Sequence, residues 1–252
     1  MKKFLLLIIF ALVSSCSTKQ SDNNTFLLTS DLPAGEQVKE SGKKLINQPY
    51  GFTAIISDSA QNNNILMIAV HGYDSQGYEW ITALNQLAEN YNNTYFYRYD
   101  WELCPDSVGH DLADSLVTVI QNKSNLNKII IFGHSYGGLV VTFLASNIDA
   151  NIPIEIHTIA APLAGYPRIF DKCDLQYNEY NVLDYPSWKT NVSHQQWRTQ
   201  KHQDGAFRDL EYDPQNIQID NSDVTLLPET MDGHRLGHNW SVAWVIEKYL
   251  SE

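Results

Sequence analysis

An α/β architecture, with a mostly parallel central sheet flanked by helices on both faces, is predicted by three features of the sequence. Apolar runs of strand length alternate with segments of helical periodicity from Ile65 onward. Two of those runs, residues 65–70 and 129–132, are apolar at every position rather than at alternate ones, as strands covered on both faces are. Each stops at a glycine-containing turn: His71-Gly72 after the first, and Gly133-His134-Ser135-Tyr136-Gly137 after the second.

The first fifteen residues stand apart from this pattern. Lys2 and Lys3 precede an apolar stretch at residues 4–13, and Val13-Ser14-Ser15 then leads into Cys16. The stretch is too short to span a membrane as a permanent helix, so it reads as an export signal. The small residues before Cys16 resemble the lipobox of bacterial lipoproteins. That resemblance implies cleavage before Cys16, acylation of the new terminal cysteine, and stable anchoring, since each buried methylene contributes about 0.8 kcal/mol. An ordinary signal peptide with an incidental cysteine is the alternative. Residues 16–24 are then a polar tether, and residues 25–252 suit one domain with a substantial core rather than two small ones.

The chain carries 17 basic and 29 acidic residues, a formal charge of -12. Loss of Lys2 and Lys3 leaves 15 against 29, or -14. Nucleic acid is therefore excluded as an expected partner. Cys104 and Cys173 are the remaining cysteines. Outside the cytoplasm such a pair can bond, but the sequence does not give their separation and leaves the question open.

In chain order, short β-rich pieces at residues 25–29 and 52–57 come before the apolar strand at 65–70. Residues 78–91 repeat Trp80, Ile81, Leu84, Leu87 and Ala88 at helical spacing, and the aromatic-rich strand 94–99 follows. A second helix fits 108–121, with Leu112, Leu116, Val119 and Ile120 on one side. Strand 129–132 and a helix directly after Ser135 complete a strand–helix alternation that requires parallel strands with crossover helices. Strands are expected at 154–160, 193–200 and 224–227, the middle one unusually polar, and a last helix at 241–250. Residues 163–190 carry Tyr166, Phe170, Tyr177, Tyr180, Tyr185 and Trp188. This insertion reads equally as a lid or acyl pocket and as a surface excursion packed on its own aromatics.

The G-x-S-x-G turn, with a buried strand before it and a helix after it, has the context of a nucleophile elbow. With His71-Gly72 at the end of an early strand and a histidine shortly before the final helix, the chain over residues 50–252 resembles the α/β-hydrolase superfamily. The Tyr99-Asp100-Trp101 strand end also looks like that family's lipase branch. What the resemblance implies is a Ser135 nucleophile, with its acid and then its histidine following along the chain. His238 is the favoured base because it immediately precedes the last helix, and His234 is its rival. Asp204, followed by Phe207, is the favoured acid, with Asp184 and Asp209 as rivals. The family's oxyanion-hole amides map to Tyr136, after the nucleophile, and Tyr73, in the loop after the first long parallel strand. His71 precedes the nucleophile and reads as a brace for that loop.

No H-E-x-x-H and no Cys/His ligand spacing is present, so a zinc site built from His202, Asp204, His234 and His238 is disfavoured, and neither metal nor cofactor is expected. The expected activity is that of a serine esterase or lipase. It would cleave acyl esters or lipid-like small molecules on a membrane of the bacterial cell envelope, the outer one in preference to the inner. Acyl transfer, thioester or peptide cleavage on the same fold, and a binding protein without turnover, are the alternatives.

Overall fold

The computed structural model describes residues 25–59, 64–123, 125–170 and 172–252. The expected signal segment, Cys16 and the polar tether lie outside these described residues. The strands are β1 (Thr25–Leu28), β2 (Gly51–Ile56), β3 (Ile65–Val70), β4 (Asn93–Arg98), β5 (Lys128–His134), β6 (Ile154–Ile159), β7 (Val192–Arg198), β8 (Ser222–Leu226), β9 (Thr230–Met231) and β10 (His234–Arg235). The helices are α1 (Val38–Ile46), α2 (Tyr78–Asn90), α3 (Pro105–Gln121), α4 (Tyr136–Asn147), α5 (Pro167–Phe170) and α6 (Trp240–Leu250).

Eight strands form one sheet in the order β1-β2-β4-β3-β5-β6-β7-β8. β2 pairs with β4 antiparallel, β1 follows β2, and every other neighbour is parallel. The α/β-hydrolase architecture expected from the sequence is thus the one observed.

The fully apolar strands are explained by two cores, one on each face. Leu66, Ile68 and Val70 of β3, with Ile129 and Ile131 of β5, pack with Leu112 and Leu116 of α3 and Val140 and Leu144 of α4. The intervening Met67, Ala69, Ile130 and Phe132 pack on the opposite face with Trp80, Leu84 and Leu87 of α2 and Val242, Val245 and Ile246 of α6. Period-two alternation sends consecutive side chains to opposite faces, so a strand with two cores must be apolar throughout.

Chain order in the sheet reverses at β3, which lies between β4 and β5. Loops after β3 and β5 therefore diverge to opposite faces and leave a crevice at their carboxyl ends, where open α/β sheets bind ligands. That placement puts the His71-Gly72 turn beside Ser135.

Several elements differ from expectation. Helix α1 was not anticipated, because its sequence is mostly polar, with Gly42 mid-helix and few apolar positions to mark a face. Helix α3 begins at Pro105 rather than residue 108; proline suits a first turn, where no intrahelical acceptor is needed. β7 and β8 sit one to two residues earlier than expected. Residues 230–235, expected as loop, form a small antiparallel hairpin across Asp232 and Gly233. Their φ values of 49° and 77° are those of a primed two-residue turn.

Candidate active site

Ser135 sits between β5 and α4 at φ 54° and ψ -121°, a conformation that a side-chain-bearing residue holds only when its surroundings impose it. The surroundings are close backbone contacts. A Cβ on Gly133 would lie 2.5 Å from the Gly137 carbonyl oxygen, and one on Gly137 would press on the carbonyls of Val70 and His71. The Ser135 amide donates to the Ile159 carbonyl at 2.9 Å, fixing the turn to the end of β6. The Ser135 hydroxyl makes no hydrogen bond with the described residues, and it borders a cavity of about 280 Å³ shared with His238.

His238 and Asp204 are brought together from loops 34 residues apart. His238 Nδ1 donates to Asp204 Oδ2 at 3.0 Å, which leaves Nε2 as the ring's proton acceptor. Asp204 is fully buried and also accepts from the Thr199 hydroxyl at 2.6 Å and the Ala206 amide at 2.8 Å. Burial works to raise its carboxyl pKa. The His238 hydrogen bond and charge, with Thr199 and Ala206, outweigh that and hold it below the ordinary carboxylate value. Phe207 packs edge-on against the His238 ring, with centroids 5.0 Å apart.

The rival residues lie elsewhere. His234 is exposed on β10 and stacks on Trp240 at 5.2 Å. Asp209 faces Arg208 on the surface, and Asp184 borders a separate cavity at the amino-terminal side of β7. His202 is exposed beside Glu229, and among the described residues no three His, Cys, Asp or Glu side chains converge as a metal site.

Tyr136 is the first residue of α4, so its amide has no intrahelical acceptor, and it points from the position next to the serine. Tyr73 borders the same cavity, and its hydroxyl donates to Glu102 Oε1 at 2.6 Å. Glu102 also pairs with Lys172 at 2.6 Å. His71 is fully buried. Its Nδ1 donates to the Gly72 carbonyl at 2.8 Å, its Nε2 accepts from the Tyr99 amide at 3.3 Å, and its ring stacks on Tyr99. Burial lowers its pKa to about 4, so it stays neutral and braces the turn, as the sequence suggested.

Two features escaped sequence reasoning. His134, the variable residue of the elbow motif, is buried and donates from Nε2 to the His238 carbonyl at 3.0 Å. Burial, and then the neighbouring His238, lower its pKa to about 3, which keeps that ring neutral. The only signal for it was its place between Gly133 and Ser135. Glu79, at the start of α2, is buried and accepts from the Ser75 hydroxyl. Burial pushes its carboxyl up toward the neutral acid.

Cys104 and Cys173 are joined in a disulfide. It ties the start of α3 to the insertion after β6, whose first part lines the cavity through Pro162, Tyr166, Ile169 and Lys172. The later part, Asp184 to Trp188, instead borders the separate cavity of about 710 Å³. The first part therefore borders the cavity beside Ser135, while the aromatics of the later part pack on the sheet core rather than on one another, Tyr185 against Phe143 with ring centroids 5.0 Å apart.

The family model described as "Alpha/beta hydrolase family" matches residues 67–240, and the chain belongs to that family. No curated protein sequence matches this chain. Among solved structures, a putative thioesterase from a Silicibacter species is similar with a TM-score of 0.53 at 12% identity, over 93% of this chain and 92% of that one. A carboxylesterase from Bacillus subtilis aligns over 85% and 95% at 12% identity, TM-score 0.48. A lipase-esterase related protein from Clostridium acetobutylicum aligns over 79% and 98% at 13% identity, TM-score 0.45.

Proposed function

We propose that this α/β hydrolase cleaves carboxylic esters through an acyl-enzyme on Ser135. The observation that carries the reading is the Asp204–His238 pair opening onto the cavity that Ser135 borders. Nδ1 of His238 is committed to Asp204, so Nε2 is the basic atom available to the Ser135 hydroxyl. No hydrogen bond joins serine and histidine in the free protein, and such contacts commonly tighten only with substrate. Ser135 Oγ attacks the ester carbonyl while His238 takes its proton. The same proton returns to the departing alcohol oxygen, and water then cleaves the acyl-enzyme by the same route. The amides of Tyr136 and Tyr73 are assigned to the oxyanion, a role whose loss typically costs roughly 10² to 10³ in rate. Trp101, Tyr166, Ile169 and Phe207 make the 280 Å³ cavity largely apolar and suit it to the acyl group.

The test is labelling of the purified protein by a fluorophosphonate together with turnover of p-nitrophenyl butyrate. Adduct mass on Ser135 and hydrolysis are expected. Absence of both, or an adduct on another serine, would remove the reading.

The proposal also includes a lipid anchor at Cys16 on the outer membrane of a bacterial envelope, supported by the residues before that cysteine. Intact-mass measurement of the membrane fraction is expected to show a chain beginning at Cys16 with added acyl mass. A mature chain beginning elsewhere, or carrying no lipid, would refute the anchor.

A further inference from the structure

Ser135 and His238, with Tyr73 and Asp74, also border a second, smaller cavity of about 180 Å³ that adjoins the apolar one. Its character is different. The lining comes from the loop after β3, the first turn of α2, and Asn239, and it is mostly polar: Asp74, Ser75, Gln76, Tyr78 and Glu79 contribute. Ser75 and Glu79 are buried, while Asp74 and Gln76 are exposed at the mouth. One nucleophile and one base thus stand between an apolar chamber and a polar one, as cleavage of a bond between unlike groups requires.

We infer that the polar chamber is the leaving-group subsite and takes a small, neutral, multiply hydroxylated alcohol of about glycerol's size. The inference rests on the hydrolase reading above and names the alcohol half of its substrate. The hydrogen-bonding inventory selects that chemistry. Asn239 Nδ2 donates to the Tyr78 hydroxyl oxygen at 2.8 Å, so the Tyr78 proton remains to be given to a ligand. Glu79 accepts the Ser75 hydroxyl in the depth of the chamber, and burial raises its carboxyl pKa. At the mouth Asp74 supplies acceptor oxygens. A ligand must therefore accept inside and donate outside, which hydroxyl groups do together. An anion is repelled by Asp74, and a cation leaves the Tyr78 hydroxyl without an acceptor. In the reaction the acyl–oxygen bond breaks, the acyl group stays on Ser135, and His238 delivers its proton to the alcohol oxygen as the polyol departs into this chamber.

The experiment holds the acyl group constant and varies the alcohol. Glyceryl monobutyrate and n-propyl butyrate share a three-carbon alcohol skeleton and differ only in two hydroxyls, and butyrylcholine supplies a cation. All three give the same acyl-enzyme, so kcat/KM, divided by each ester's own rate of alkaline hydrolysis to remove leaving-group reactivity, reports the alcohol subsite. The glyceryl ester is expected to exceed the propyl ester at least tenfold. Tyr78→Phe, which removes one oxygen, is expected to reduce that ratio threefold or more, and Glu79→Leu to reduce it further. If Glu79→Leu does not fold, Tyr78→Phe carries the test by itself. A wild-type ratio near one, a ratio unchanged in Tyr78→Phe, or a preference for butyrylcholine would overturn the assignment. The hydrolase reading fails separately, through absence of p-nitrophenyl butyrate turnover and of Ser135 labelling.

Discussion

The segment that presents Ser135 and the loop that presents His238 meet at one cavity, but they are held there by different means. The Ser135 turn joins a strand buried in the middle of the sheet to a helix buried along most of its length, and adjacent backbone contacts dictate its shape. The His238 loop belongs to no large element. A few long-range hydrogen bonds position it: His134 to the His238 carbonyl, His238 to Asp204, and Asn239 to Tyr78. The lesson is that a backbone shift in the turn disturbs sheet and site together, whereas a shift in the loop acts on the site first. Leu236 anchors the loop in the core, but His238 itself is placed by hydrogen bonds, so a shift of the histidine costs the fold less than a shift of the turn, which cannot move without the sheet.

Removing the reacting atom is the largest effect open to test. Ser135→Ala is expected to lower kcat by roughly 10³-fold or more with the melting midpoint nearly unchanged, because a half-buried hydroxyl that makes no hydrogen bond with the described residues contributes little to stability. A large fall in the midpoint would show that the turn depends on this side chain as well as on its glycines.

Two histidines four residues apart sharpen the comparison next. His238→Ala is expected to lose roughly three orders of magnitude in acylation rate, and His234→Ala to keep most activity, since His234 only stacks on Trp240 at the surface. Melting curves of both variants separate chemistry from misfolding. The reverse ratio would transfer the base to the hairpin.

Asp204 links the loop to pH. Its folded pKa lies below the ordinary value of 3.8, so its contribution to stability is present above that value and is lost as pH falls through the folded pKa. Asp204→Asn is therefore expected to lower kcat roughly 10²- to 10⁴-fold at neutral pH. It is also expected to flatten the decline of the melting midpoint below pH 4, relative to the unchanged protein. Parallel midpoint curves for the two proteins would deny Asp204 that stabilising role.

A gentler displacement of the loop comes from Gly237, where a Cβ would lie 2.7 Å from the Gln203 carbonyl oxygen. Gly237→Ala should cut kcat/KM about tenfold while lowering stability by only about 1 kcal/mol. Gly205, where a Cβ meets nothing within 4 Å, supplies the control: Gly205→Ala should alter neither. Equal effects at both positions would mean that the loop tolerates no change of any kind.

The smallest effect on turnover is expected from the disulfide. Replacing Cys104 and Cys173 by serine opens a cross-link spanning 69 residues and should destabilise the fold by roughly 2–4 kcal/mol, read in urea. Activity at low temperature should fall by less than threefold, because the bridge stands behind the cavity wall rather than in it. A tenfold fall without loss of stability would make the bridge part of the site.

The sequence by itself determined the sheet class, the two-faced strands and the elbow, because each is written in contiguous residues: apolar runs for β3 and β5, and glycines at the positions where backbones touch. It also narrowed the base to one loop and placed Asp204 near the end of a strand. Helix α1 was not legible, since its inner stripe of Val38, Leu45 and Ile46 is short and interrupted by Ser41 and Gly42, and the close approach of the Gln76–Tyr78 backbone to Gly42 exists only in the folded chain. Only the tertiary structure decided between His238 and His234 as the partner of Asp204, drew His134 behind the base, joined Cys104 to Cys173, and set a polar chamber against an apolar one. Periodicity and turn chemistry act over a few residues and leave a mark in the local sequence. A hydrogen bond between loops 34 residues apart, or a buried carboxyl on a neighbouring helix, depends on how finished elements stack, and no local pattern records that.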